Sequence, residues 1–173
     1  LKSFYCRILV VLVAACISCR TSSPSGLVLN PEFDKEISSI LDFSIPVISV
    51  EEALDAEGVL FLDARERPEY EVSHIPGAIH IGYDHWDKTV LDSISEDREV
   101  IVYCSVGYRS EKIGIKLKSL GFSRVHNLYG SIFEWVNVGL PLEDSLGGQT
   151  QRVHTYNKNW SKWVTSTTVE KIW

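Results

Sequence analysis

VIVYCSVGYRS, residues 100–110, joins an unbroken apolar run to the start of a helical pattern, with a single cysteine at the join. Val100–Tyr103 shows no polar alternation, which is the pattern of a strand covered on both faces. The stretch from Ser110 to Leu120 then repeats like a helix and stops at Gly121. Working outward, VLFLDA (59–64) is a second buried-strand run, and AIHI (78–81) and RVHNL (124–128) are shorter ones. Asn30-Pro31 opens an amphipathic helix with Phe33, Ile37, Ile40 and Leu41 on one face. Val47 and Ile48 precede the S-x-x-E capping box of Ser49–Glu52, whose helix closes at Gly58. Further helical stretches fall at 68–72, 86–94 and 132–138. Strands alternating with helices, without a hairpin signal, predict an α/β fold: a parallel central sheet of about five strands flanked by helices on both sides. Cys104 then lies at the carboxyl edge of that sheet, where such folds bind their ligands.

A cysteine there can be buried filler, half of a disulfide, a metal ligand or a nucleophile, and the rest of the chain narrows the choice. Lys2 and Arg7 precede a mostly apolar run, Ile8–Cys19, closed by Arg20. That run is short for a membrane span, which needs about 20 apolar residues, and fits a signal peptide over residues 1–19. Val13-Ala14-Ala15-Cys16 resembles the lipobox of bacterial lipoproteins, so Cys16 is the expected lipidation site and Cys19 the alternative. The spacing of Cys16 and Cys19 also matches a redox CxxC, but the motif sits in an apolar leader and not at a helix start beside a βαβ unit. Residues 20–30, with TSSPSG at 21–26, read as a flexible tether. The expected setting is export, with the protein lipid-anchored to a bacterial membrane on its periplasmic or cell-surface side. The chain opens on Leu1 and contains no methionine, which leaves its natural start open.

Of the four cysteines, 6, 16, 19 and 104, only the last lies in the folded body, which disfavours a disulfide. The histidines at 74, 80, 85, 126 and 154 show no ligand spacing with Cys104, so neither a metal nor a cofactor is expected. A reactive thiol remains. The loop Ser105, Val106, Gly107, Tyr108, Arg109 is short enough to curl its backbone N–H groups around the sulfur, and Gly107 permits the required angles. The helix N-terminus behind it and the Arg109 cation both favour a thiolate. Net charge is −6 with scattered basic residues, so nucleic acid is not an expected partner.

CSVGYRS resembles the CxxGxR loop of single-domain rhodaneses, and two further stretches agree with that family. LDARERPEYEVSHIPGAIHI (62–81) is similar to its amino-terminal signature, and VHNLYGSIFEWVNVGLP (125–141) to its closing pattern. The resemblance implies a rhodanese-like domain over residues 31–142, followed by an aromatic-rich extension, 143–173. It implies transfer of a sulfane sulfur from a donor such as thiosulfate to a thiol or cyanide-like acceptor, a protein acceptor included, through a Cys104 persulfide. Ser105 to Arg109 would form the cradle, with Arg109 a candidate for holding an anionic donor, and Asp63 and Arg65 would brace the loop or edge the pocket. His74 and Trp135 are expected to hold the fold. Ser73 and Ser131 stand where the family has glycine, a change expected to distort local turns without touching the sulfur. A cysteine phosphatase of this fold has five residues between Cys and Arg; here there are four. The competing reading is an inactive, membrane-tethered binding module. In the extension, Tyr156, Trp160 and Trp163 fall at i, i+4 and i+7, which predicts a helical aromatic stripe packed on the domain or turned to a partner or membrane. The residues beyond, with Thr165–Thr168, are expected to be extended or frayed.

Overall fold

A computed structural model describes residues 26–173; the signal segment, Cys16, Cys19 and most of the tether lie outside the described residues. The body begins with α1 (Pro31–Ile40), whose first amides are capped by the Asn30 side chain. Five strands form one parallel sheet: β1 (Val47–Ile48), β2 (Leu60–Asp63), β3 (Ile79–His80), β4 (Val100–Tyr103) and β5 (Val125–Leu128), in the spatial order β1-β5-β4-β2-β3. The helices α2 (Val50–Asp55), α3 (Arg67–Val72), α4 (Tyr108–Ser119) and α5 (Ser131–Asn137) connect or follow them.

Central position explains the unbroken apolar run. β4 is hydrogen-bonded on one side to β2 and on the other to β5, and all four of its side chains are buried. Ile101 and Tyr103 point into a core shared with Phe33, Ile37 and Phe133 of α1 and α5. Val100, Val102 and Cys104 point the other way, toward Ile113 and Leu117 of α4. Each aliphatic side chain so buried contributes about 1.5–3 kcal/mol. The cysteine is therefore the last inward position of a strand that cannot shift register without turning every apolar residue over.

Three expectations fail in instructive ways. Residues 86–94 do not form an α-helix; Lys88–Ser93 is a 3-10 turn capped by Asp87, with Leu91 its one buried side chain, so there is no apolar stripe to hold a longer helix. A hairpin does occur: β6 (Leu142–Glu143) pairs antiparallel with β7 (Gln149–Thr150) around a turn whose amides, Leu146 and Gly148, donate to the Asp144 carboxylate. The aromatic stripe is not helical either. β8 (Arg152–His154) pairs in parallel with β9 (Glu170–Ile172), and only Trp160–Trp163 between them is a 3-10 turn. The extension lies against the body all the same: Trp163 stacks on Phe33 with ring centroids 5.4 Å apart, and Asn137 of α5 bonds to the Trp163 carbonyl and the Thr165 amide.

Candidate active site

Two peptide planes set the cradle. The carbonyls of Cys104 and Ser105 accept from the amides of Ile132 and Phe133 in the first turn of α5, at 3.2 and 3.3 Å. In a trans peptide the N–H points opposite to the carbonyl of the same plane. The amides of Ser105 and Val106 are thereby turned away from α5. The Gly107 carbonyl is fixed in the same way by the Asn127 side-chain amide and the Glu111 amide, at 2.9 and 3.1 Å. Gly107 itself has φ +125, which a side chain rarely tolerates, and its N–H donates to the Cys104 sulfur at 3.2 Å.

The thiol is buried, and burial alone raises its pKa; the charge of Arg109 and the hydrogen bonds from Ser110 and Gly107 outweigh burial and bring it below the ordinary thiol value. Among these, the Ser110 hydroxyl is the weakest contact. Its one hydrogen has the Asn127 side-chain oxygen at 2.6 Å and the Gly107 carbonyl at 3.0 Å in reach, against 3.6 Å to Sγ. The Arg109 charge is the largest of the lowering effects.

Arg109 sits where expected but is already engaged. Its fork donates to both carboxylate oxygens of Glu69, at 2.6 and 2.8 Å, and to the Ser105 hydroxyl at 3.0 Å. That pairing holds the Glu69 carboxyl below the usual range, although burial pushes the other way. Arg109 thus tunes the thiol and fixes the loop, with three of its N–H groups taken up by Glu69 and Ser105. Asp63 and Arg65 do not line the cleft, and the hydrogen bonds of their side chains run to each other and to the end of α3, not to the cysteine loop. Both are fully buried; Arg65 bonds bidentately to Asp63 and donates to the Ser73 carbonyl at 2.6 Å, tying β2 to the end of α3. His74 is the buried, hydrogen-bonded histidine expected, stacked on Tyr70 at 3.9 Å with Nδ1 3.1 Å from the Tyr70 carbonyl. Trp135 is buried with its indole N–H on the Pro141 carbonyl.

Ser73 is extended at φ −174 and distorts nothing. Ser131 is different: it has φ +52, and its hydroxyl accepts the Cys104 amide at 3.1 Å while donating to the Leu128 carbonyl. It leaves the sulfur untouched but holds the cysteine's own backbone. Sequence reasoning also passed over Glu69 and Asn127 as site residues. The signal for Glu69 was a carboxylate at a helix position that must be buried, with one loop cation to satisfy it.

Above Cys104 opens a cleft of about 450 Å³. Ile40, Tyr83, Val106 and Tyr108 supply much of its wall, and the extension supplies Tyr156 and Trp160. Among the described residues no cluster of side chains could hold a metal ion.

A family model for the rhodanese-like domain matches residues 47–138, from β1 to the end of α5. The chain belongs to the rhodanese-like family. Among curated proteins, this rhodanese-like chain is 30% identical over 122 residues to the tRNA uridine(34) hydroxylase of Salmonella newport (strain SL254), covering 65% of this chain and 34% of that protein. It is 36% identical over 96 residues to the candidate sulfur carrier protein YrkF of Bacillus subtilis (strain 168), covering 53% of this chain and 51% of that one. The chain therefore spans a third to a half of these relatives. The crystal structure of the Alr3790 protein from Anabaena sp. superposes with a TM-score of 0.50 at 26% identity, covering 55% of this chain and 76% of that one.

Proposed function

We propose that the protein is a sulfurtransferase that carries a sulfane sulfur on Cys104. The observation that carries this reading is a buried thiol of lowered pKa that accepts the Gly107 amide, on a loop whose Cys104 and Ser105 carbonyls are both held by α5. The thiolate attacks the outer sulfur of a donor such as thiosulfate. A Cys104 S–S bond forms, the donor's bond to that sulfur breaks, and the bonding pair leaves with sulfite. The terminal sulfur of the persulfide keeps the negative charge and faces the amides, which stabilise it as an oxyanion hole stabilises oxygen. A thiol or cyanide then takes the outer sulfur and regenerates the thiolate. The similarity to a candidate sulfur carrier protein is consistent with this chemistry.

Intact-mass measurement after incubation with thiosulfate tests the reading. The wild type is expected to gain one sulfur atom and to lose it to cyanide as thiocyanate, whereas Cys104→Ser gains nothing. A wild type that gains no sulfur from any of several donors would refute transfer and leave a binding module. We further propose that the chain is exported and lipid-anchored through Cys16, on the strength of the leader and lipobox pattern. Cys16→Ala should release the protein from membranes; sedimentation with membranes after that change would overturn the assignment.

A further inference from the structure

Tyr156 and Trp160 lie outside the rhodanese-like match, yet both line the cleft over Cys104. They are placed there by the backbone. Tyr156 has φ +63, an uncommon conformation for a residue with a side chain. The turn that enforces it is fixed on all sides: the Tyr156 amide donates to His154 Nδ1 at 3.1 Å, and the Thr155 amide and hydroxyl both donate to the Ile172 carbonyl. The Asn157 side chain accepts the Trp160 amide at 3.1 Å. His154 Nδ1 is an acceptor in this arrangement, so the imidazole is neutral and its 3.9 Å approach to Glu69 is no ion pair. The Tyr156 ring comes to rest 5.2 Å from the Arg109 guanidinium.

The charges on the walls point the same way as the rings. Arg109 is the one cation lining the cleft among the described residues, and Glu69 occupies its fork. Glu66 and Asp84 are the other charged residues of the wall, and both are acids. A small dianion entering here loses water and meets two carboxylates, and the one guanidinium of the wall is already shared with Glu69 and Ser105. An apolar, flat body carrying a single charge at the sulfur end finds Tyr156, Trp160, Tyr83, Tyr108 and Ile40 on its sides and the loop amides at its tip.

Resting on the sulfurtransferase reading, we propose that the C-terminal segment selects the donor: Tyr156 and Trp160 make this a site for an organic thiosulfonate with an aromatic body, in preference to inorganic thiosulfate. The Cys104 thiolate attacks the terminal sulfur of R–SO2–S⁻. The new S–S bond forms as the sulfonyl–sulfur bond breaks, its electron pair leaves on the sulfinate R–SO2⁻, and the persulfide keeps the other charge. No oxidant, reductant or proton is required.

The test compares benzenethiosulfonate with thiosulfate in the full chain, with cyanide as acceptor and thiocyanate release as the readout. The wild type is expected to favour the aryl donor in kcat/KM by at least about tenfold, the scale on which apolar pocket contacts discriminate substrates. Tyr156→Ala and Trp160→Ala should each lower that ratio, mainly through the KM of the aryl donor, and Tyr156→Phe should keep it. Tyr156 is 54% exposed, so its truncation spares the core. A wild type that uses both donors equally, or a ratio unmoved by either alanine, overturns donor selection while leaving sulfur transfer intact. Failure of both donors to load Cys104 overturns both readings.

Discussion

Arg109→Gln removes one half of a pair in which each Glu69 carboxylate oxygen receives a guanidinium N–H, at 2.6 and 2.8 Å. The Arg109 and Glu69 side chains are only 13% and 5% exposed, so the small values typical of surface pairs do not apply. Loss of one partner from a buried pair costs about 3–5 kcal/mol, because the remaining charge has no counter-ion. For a domain of this size about 2–4 °C accompanies each kcal/mol, so Tm should fall by about 6–20 °C. The pH dependence has a definite sign. The Glu69 carboxyl is held below its ordinary pKa, so its stabilisation is present above the unfolded value of about 4.3 and is lost as pH falls through the folded value. The difference between wild type and Arg109→Gln should therefore shrink in acid. Combining Glu69→Gln with Arg109→Gln replaces two charges by a neutral amide pair and should recover much of the stability. It should not recover the thiol, whose acidity depends on the Arg109 charge. Urea unfolding would report the first quantity, and iodoacetamide alkylation of Cys104 across pH the second. The reasoning is refuted by an Arg109→Gln cost below about 1 kcal/mol, or by a double variant that alkylates at neutral pH as fast as wild type.

Two further outcomes follow from the same geometry. In the wild type, alkylation of Cys104 should rise with pH to a plateau whose midpoint lies below that of a free cysteine thiol alkylated under the same conditions; a midpoint at or above that of the free thiol would contradict the thiolate argument. Ser131→Gly relieves a left-handed residue, worth about 1–2 kcal/mol, and loses the partner of the Cys104 amide, which costs about 1–3 kcal/mol. Ser131→Ala loses the bond and keeps the strain, so alanine should be the less stable of the two by about 1 kcal/mol. Equal urea midpoints would show that Ser131 carries no strain.

The sheet was readable because β2 and β4, strands in its interior, write apolar runs into the sequence, unbroken through all four residues of β4. The cysteine loop was readable because it sits between such a strand and a helix. The extension was not. Tyr156, Trp160 and Trp163 share a helical spacing, but three positions over eight residues are too few to establish a period. The deciding interactions are distant ones: β9 pairing with β8, and Asn137 of α5 holding the Trp163 carbonyl. Glu69 was obscured for a related reason. Its partner Arg109 lies 40 residues onward, and only the parallel crossover from β2 to β4 brings the two together.

In the sulfurtransferase proposed above, the pinning of the cysteine loop also constrains the order of events. The Cys104 amide is held by Ser131 and its carbonyl by Ile132, and the side chain is 1% exposed. A sulfur on this residue cannot swing outward to a second site as a flexible carrier arm would. Donor and acceptor must queue for one opening, and the remnant of the first must depart before the second arrives. Sulfur transfer on such a frame is a double displacement, with parallel double-reciprocal lines and with each substrate, at high concentration, inhibiting the half-reaction of the other.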